Sequence, residues 1–67
     1  MRFIMIRTQN NEDVAVNASN ITSIQRMNGG VWILFGGDTP VSTQFTNIQS
    51  AIDYIQRAPS VSLGVEQ

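Results

Sequence analysis

The feature that most constrains the fold is a run of five apolar residues, 31–35 (VWILF), between two glycine-containing segments. Asn28-Gly29-Gly30 precedes the run, and Gly36-Gly37-Asp38 follows it. Short apolar runs that are rich in aromatic and β-branched residues and bounded by turn residues are typical of β-strands. This run does not alternate with polar residues, so we expect a central strand that is covered on both faces.

Four further segments have strand character. The first two flank a polar cluster, 9–13, and should form a hairpin. The third is followed by Asn28-Gly29, a strong hairpin signal, although the spacing of Ile21 and Ile24 also suits a helical turn. The fifth begins beside Pro40, which lacks an N–H and cannot lie within a sheet ladder. The predicted strands cover residues 2–8, 14–16, 21–27, 31–35 and 39–45.

One amphipathic helix follows the strands. Thr46 and Gln49 match a capping box, Pro59 ends the segment, and the apolar stripe consists of Ile48, Ala51, Ile52 and Ile55. The predicted fold class is α+β, a five-stranded, mostly antiparallel β-meander with one C-terminal helix. The domain spans residues 1–59. The alternating tail, 60–67, is expected to be ordered on a partner subunit.

The small size of the chain predicts self-association. Its 67 residues contain no Cys and no His, so disulfides and the usual zinc ligands are both missing as stabilisers of a small core. One helix covers one sheet face, whereas the apolar runs 3–6 and 31–35 direct side chains to both faces. We therefore expect a β-rich homo-oligomer that binds neither metal nor cofactor.

Charged residues are sparse, at 13% of the chain against ~25% in an average domain, and all four basic residues are arginines. Non-specific nucleic-acid binding depends on many Lys and Arg contacts with phosphates, so the composition argues against it. The run 3–6 is too short for a membrane span or for the apolar part of a signal peptide. We accordingly expect no membrane partner and a cytoplasmic location.

The composition also argues against catalysis. The chain has no His, Cys or Lys, which removes the commonest general base, the commonest soft nucleophile and Schiff-base chemistry. The acidic residues fall in predicted turns, on the helix and in the tail, and form no predicted pair across a cleft: Glu12, Asp13, Asp38, Asp53 and Glu66. We expect a protein without catalytic residues.

The order of the segments resembles the FlbD-type small proteins of bacterial flagellar operons. The matching residues are Val14-Ala15-Val16-Asn17, Ile21 and Ile24, the strand and glycines at 31–37, and the helix at 48–55. The resemblance covers most of residues 1–57 and implies an accessory or regulatory protein-binding module. That family is rich in Lys and Glu, whereas this chain has no Lys. Its low-charge, Asn-rich composition is also similar to small phage proteins, including oligomers that sequester nucleotide immune signals.

Six residues form the predicted ligand site: Arg7, Arg26, Asn28, Gly29, Gly30 and Trp32. Arginine forks suit phosphates, glycine turns present N–H groups to anions, and tryptophan stacks on bases. These residues suggest sequestration of a small phosphorylated ligand, such as a cyclic or modified nucleotide immune signal, between subunits. The structural alternative is that they are hairpin, core and edge-charge residues. Arginines that converge would favour the ligand, and scattered arginines would favour the accessory module.

Overall fold

The computed structural model describes residues 2–61 and confirms the α+β class. A 3-10 turn, Ala18–Asn20, separates the second strand from the third. The strands and the helix are, in chain order, β1 Phe3–Arg7, β2 Asp13–Asn17, β3 Ile21–Met27, β4 Gly30–Phe35, β5 Val41–Ser42 and α1 Ile48–Arg57. Residues Ile21–Met27 form a strand, as predicted, and the alternative of a helical turn at Ile21 is wrong.

The five strands are antiparallel and divide into two sheets. One sheet is the β1–β2 hairpin, and the other has the order β3–β4–β5. Between them, the Asn17 side chain accepts a hydrogen bond from the N–H of Ser19 and stabilises the 3-10 turn that redirects the chain. The sheets meet at an antiparallel bridge between Thr8 and Thr43. The amino-acid pattern did not indicate this division.

The core lies where the hairpin, the central strand and the end of the helix meet, and it contains Ile4, Ile6, Val16, Ile33 and Ala58. On β4 the alternate residues Val31 and Ile33 are fully buried, whereas Trp32 and Leu34 on the opposite face are half-buried. In the single chain the predicted central strand is thus fully covered on one face and only partly covered on the other.

The fifth strand is shorter than the predicted range 39–45. Regular pairing with β4 covers only Val41–Ser42. At Thr43 the hydroxyl donates to the carbonyl of Val31 at 2.8 Å and accepts from the N–H of Phe45 at 3.2 Å. Backbone bonds from the N–H of Thr43 to the carbonyl of Val31, at 2.9 Å, and from the N–H of Val31 to the carbonyl of Phe45, at 3.3 Å, continue beyond the regular pairing. The hydroxyl of Thr43 adds a local bond to the N–H of Phe45, where the chain bends before the helix.

The helix begins one residue later than the capping-box pattern predicts, and the assignment of Thr46 as N-cap is wrong. The cap is Asn47, whose side chain accepts from the N–H of Ser50 at 2.8 Å. Gln49 donates forward to Asp53 and so does not complete a box. Asparagine caps helices at least as well as threonine, which explains the shift.

The last described residue of the predicted tail lies against the first strand. The N–H of Val61 donates to the carbonyl of Phe3 at 2.9 Å. Residues 62–67 lie outside the described residues, and so does the predicted ordering of the tail on a partner subunit.

Candidate functional site

The predicted turn at residues 28–29 is a tight hairpin between β3 and β4. Asn28 and Gly29 both have positive φ values, 53° and 81°, as a two-residue hairpin of this type requires. Gly30 pairs with Met27 and is buried, and a side chain there would overlap the amide nitrogen of Gln9. Asn28 and Gly29 therefore form the turn itself, and Gly30, which is also predicted to present its N–H to an anion, belongs to the strand pairing of the same hairpin.

Arg26 and Trp32, which the ligand hypothesis combines, lie on opposite faces of their sheet. Arg26 pairs with Val31, whereas Trp32 pairs with Gln25 on one side and Ser42 on the other. Since consecutive residues of a strand alternate between faces, Trp32 points away from the buried face to which Val31 belongs. The structure does not bring these two site residues together.

The guanidinium of Arg26 contacts the segment that leads into the helix. Its Nε donates to the carbonyl of Thr46 at 3.1 Å, and the side chain is exposed. This bond ties the end of β3 to the connection between β5 and α1. The bonded carbonyl belongs to the residue after Phe45, but Arg26 does not line the cavity at Phe45.

Arg7 is held in place at the turn end of the first hairpin. Its Nε donates to Oδ1 of the cross-strand neighbour Asp13 at 2.6 Å, and one terminal nitrogen donates to Oδ1 of Asn11 at 3.0 Å. Both side chains of the ion pair are about half exposed, at 51% and 56%. Such a pair contributes about 0.2–1 kcal/mol to stability, so its main effect is to orient the guanidinium.

Four side chains enclose a cavity of about 280 Å³, which we call the arginine–aromatic cavity: Arg7, Gln44, Phe45 and Tyr54. The two aromatic rings lie 5.5 Å apart between centroids, with their planes tilted by 48°. One guanidinium, one amide and two ring faces therefore line the same concave surface. Together these groups can bind a ligand that has an aromatic ring and a negatively charged group.

Hydrogen bonds hold the polar groups of the arginine–aromatic cavity in fixed positions. The Gln44 amide donates to the carbonyl of Thr8 at 3.0 Å and to Oδ1 of Asn11 at 3.3 Å. The Tyr54 hydroxyl donates to the carbonyl of Met5 on β1. Since these bonds already fix the Gln44 and Tyr54 side chains, little ordering of the two would be needed on binding.

Sequence reasoning identified Arg7 but missed the other three residues of this cavity. Gln44 and Phe45 come from the bend after β5, and Tyr54 comes from the helix, beside its apolar stripe. A local signal was available in the two aromatic residues, Phe45 just before the helix and Tyr54 within it. Their meeting with Arg7 depends on the packing of the helix against β1.

The other two arginines lie at the C-terminal end of the helix. A terminal nitrogen of Arg2 donates to the carbonyls of Ile55 and Ala58, at 2.9 and 2.6 Å, and Arg57 is in the last helical turn. Positive groups at this position interact favourably with the helix dipole. The four arginines thus occupy three places, and only Arg7 lines the arginine–aromatic cavity.

A second and larger cavity, of about 410 Å³, lies between β2 and the β4–β5 loop. We call it the β2 groove. Its larger apolar lining residues are Phe3, Val14, Val16, Phe35 and Val41, and the other lining residues are Ala15, Asn17, Asn20, Asp38 and Thr39. It contains one carboxylate and no basic residue. Its charge makes it a poor site for a phosphate.

Comparison with family models, curated proteins and solved structures finds no match to this chain. The FlbD-type resemblance therefore stays a prediction. Within residues 2–61, no group of three or more carboxylates comes together as a metal site would require. In the same part of the chain, no helix has the length and apolar character needed to cross a membrane.

Proposed function

We propose that this protein is a non-enzymatic binding module that captures a small phosphorylated aromatic ligand, such as a nucleotide, in the arginine–aromatic cavity. The observation that carries the proposal is the meeting of Arg7 with Phe45 and Tyr54 around one cavity. A base stacked on an aromatic ring gains ~1–3 kcal/mol, and an arginine fork suits the phosphate. The residues present would hold such a ligand without changing it, so the proposed role is sequestration in the cytoplasm.

The size of the cavity limits what one chain can hold. Its volume of about 280 Å³ lies just below the ~300–1,000 Å³ range of small-molecule pockets. A ligand of mononucleotide size is therefore the best match to a single chain. A cyclic dinucleotide would need further walls, which the predicted homo-oligomer would supply from a second copy.

The carboxylate of Asp13 makes the proposal sharply testable. It neutralises Arg7 in the free protein, so an incoming phosphate must compete with it for the same guanidinium. The Asp13→Asn variant should therefore bind an anionic ligand about two- to fivefold more tightly, which corresponds to the value of an exposed ion pair. In contrast, Arg7→Gln should weaken binding roughly ten- to hundredfold, as expected for loss of a charge-assisted contact.

The experiment is calorimetric titration of the wild type with purine and pyrimidine nucleoside monophosphates, their unphosphorylated nucleosides and a cyclic dinucleotide. Arg57→Gln is the matched control, because it removes the same charge outside the arginine–aromatic cavity. The proposal requires a preference for the phosphorylated compound and opposite effects of Arg7→Gln and Asp13→Asn. If Arg7→Gln and Arg57→Gln weaken binding equally, the attraction is only general charge and the proposed site is wrong.

The FlbD-like accessory function is the second candidate, and two observations favour it. The four arginines are scattered over three places, which is the arrangement expected of an accessory module. Trp32 and Leu34 are half-buried on the face of β4 opposite the core, and Met27 in the neighbouring β3 is 38% exposed. Partly exposed tryptophan and methionine side chains are enriched in protein interfaces. If no nucleotide binds in the titrations while Trp32 proves necessary for association with a protein, the accessory function replaces the ligand proposal.

A further inference from the structure

The orientation of the Gln44 side-chain amide follows from the groups bonded to it. The Arg7 guanidinium has only donors, so the Asn11 atom that it contacts at 3.0 Å must be the amide oxygen. That Asn11 oxygen lies 3.3 Å from the Gln44 amide, and the carbonyl of Thr8, also an acceptor, lies 3.0 Å from it. Gln44 therefore directs its nitrogen toward both oxygens, because a flipped amide would place its own oxygen against them.

These bonds leave the uncharged polar groups of the arginine–aromatic cavity with acceptors only. An amide nitrogen carries two hydrogens, and Gln44 uses both in these bonds, so it can offer a ligand only its oxygen. The Tyr54 hydroxyl uses its hydrogen on the carbonyl of Met5 and likewise offers a ligand only a lone pair. Arg7 supplies the donors of the cavity, because a guanidinium has N–H groups beyond the two that bond within the first hairpin.

The two aromatic rings offer a stacking face but no slot between them. The centroids of Phe45 and Tyr54 are 5.5 Å apart, and the ring planes are tilted by 48°. A third ring inserted between them would need about 7 Å, twice the ~3.5 Å contact distance of carbon atoms. A bound base therefore lies against one ring face, and its edge meets the polar groups that line the same cavity.

We infer that the base of the ligand carries an exocyclic amino group, as adenine and cytosine do, and donates it to the side-chain oxygen of Gln44. This inference rests on the proposed function and narrows its ligand to nucleotides with such a base. The phosphate pairs with the donors of Arg7, and the amino group pairs with the acceptor. A base with a carbonyl at that position, such as hypoxanthine or uracil, would place an oxygen against the Gln44 oxygen and lose the bond.

Two matched pairs of ligands test this preference by calorimetric titration. Adenosine and inosine monophosphates differ by an amino group in place of a carbonyl, and so do cytidine and uridine monophosphates. The wild type should bind the amino member of each pair about three- to tenfold more tightly, which is the value of one hydrogen bond between uncharged groups. Equal affinity within each pair would overturn the inference and leave the proposed function standing, whereas no binding of any of the four would refute both.

The variant Gln44→Met decides whether the preference comes from the side-chain oxygen. Methionine has a similar length but only a weakly accepting sulfur, so the ratio of the adenosine to the inosine monophosphate affinity should fall to about one. Because both ligands are measured on the same variant, a loss of folded protein lowers both apparent affinities equally and leaves their ratio unchanged.

Gln49→Met is the matched control, because it removes the same group from the helix outside the arginine–aromatic cavity. It should keep the wild-type ratio. If Gln44→Met keeps the preference for the amino-bearing ligand, the assignment of that preference to Gln44 is overturned.

Discussion

The bonds that Arg2 makes to the end of the helix should be a main contribution to stability. Its guanidinium donates to two helix carbonyls, those of Ile55 and Ala58, and so joins the start of β1 to the end of α1. Hydrogen bonds from a charged donor contribute ~1.5–3 kcal/mol each. Because this site is only partly buried, water can replace part of that contribution. We expect Arg2→Met to lower the free energy of unfolding by about 2–3 kcal/mol.

That loss is large for a chain of this size. A 67-residue domain has a free energy of unfolding of roughly 3–10 kcal/mol, at ~0.05–0.15 kcal/mol per residue. For domains of this length, 1 kcal/mol shifts the melting temperature by ~4–8 °C. Arg2→Met should therefore lower the melting temperature by roughly 10–20 °C. The assay is thermal unfolding followed by circular dichroism, at one protein concentration for all variants because self-association would also raise the apparent stability.

Arg57→Met is the matched control for this prediction. It removes the same charge from the same end of the helix, where Arg57 is exposed and, within the described residues 2–61, contributes through the helix dipole, about 0.3–1 kcal/mol. Arg2→Lys, which keeps the charge but not the planar donor geometry, should fall between the two methionine variants. If Arg2→Met and Arg57→Met lower the melting temperature equally, the two bonds add nothing beyond general charge and the reasoning is refuted.

Two further predictions concern the central strand. Thr43→Val keeps the shape of a fully buried side chain but removes the bonds of its hydroxyl to Val31 and Phe45. It should lower the free energy of unfolding, measured in urea, by about 2 kcal/mol. Thr43→Ser, which keeps the hydroxyl, should lower it less. Trp32→Ser should convert the predicted homo-oligomer into smaller species in sedimentation velocity, because a second copy would cover the face of β4 on which Trp32 lies. An unchanged distribution of species would contradict that role of Trp32.

Local backbone preferences made most of the elements predictable. The Asn28-Gly29 hairpin follows from two residues that tolerate positive φ, and both have it. The helix ends at Arg57, before Pro59, as the pattern predicts. The two boundary errors, at Thr46 and in the fifth strand, arose where a neighbouring polar side chain formed a better local hydrogen bond.

The separation of Arg26 from Trp32 within one chain was predictable from the sequence. A two-residue turn at 28–29 pairs Met27 with Gly30, and therefore Arg26 with Val31. Strand alternation then places Trp32 on the other face from Arg26. The two residues are therefore separated within one chain by strand alternation alone.

The sequence by itself determined the α+β class, the succession of strand segments along the chain, the central hairpin and the helix at 48–57, because each depends on neighbours in the chain. Only the tertiary structure decided that the strands divide into two sheets and that these sheets meet at the bridge between Thr8 and Thr43. It also decided that Arg7 meets Gln44, Phe45 and Tyr54. These contacts join residues that are far apart in the chain. They depend on how the helix packs on β1, and no local sequence pattern encodes that packing.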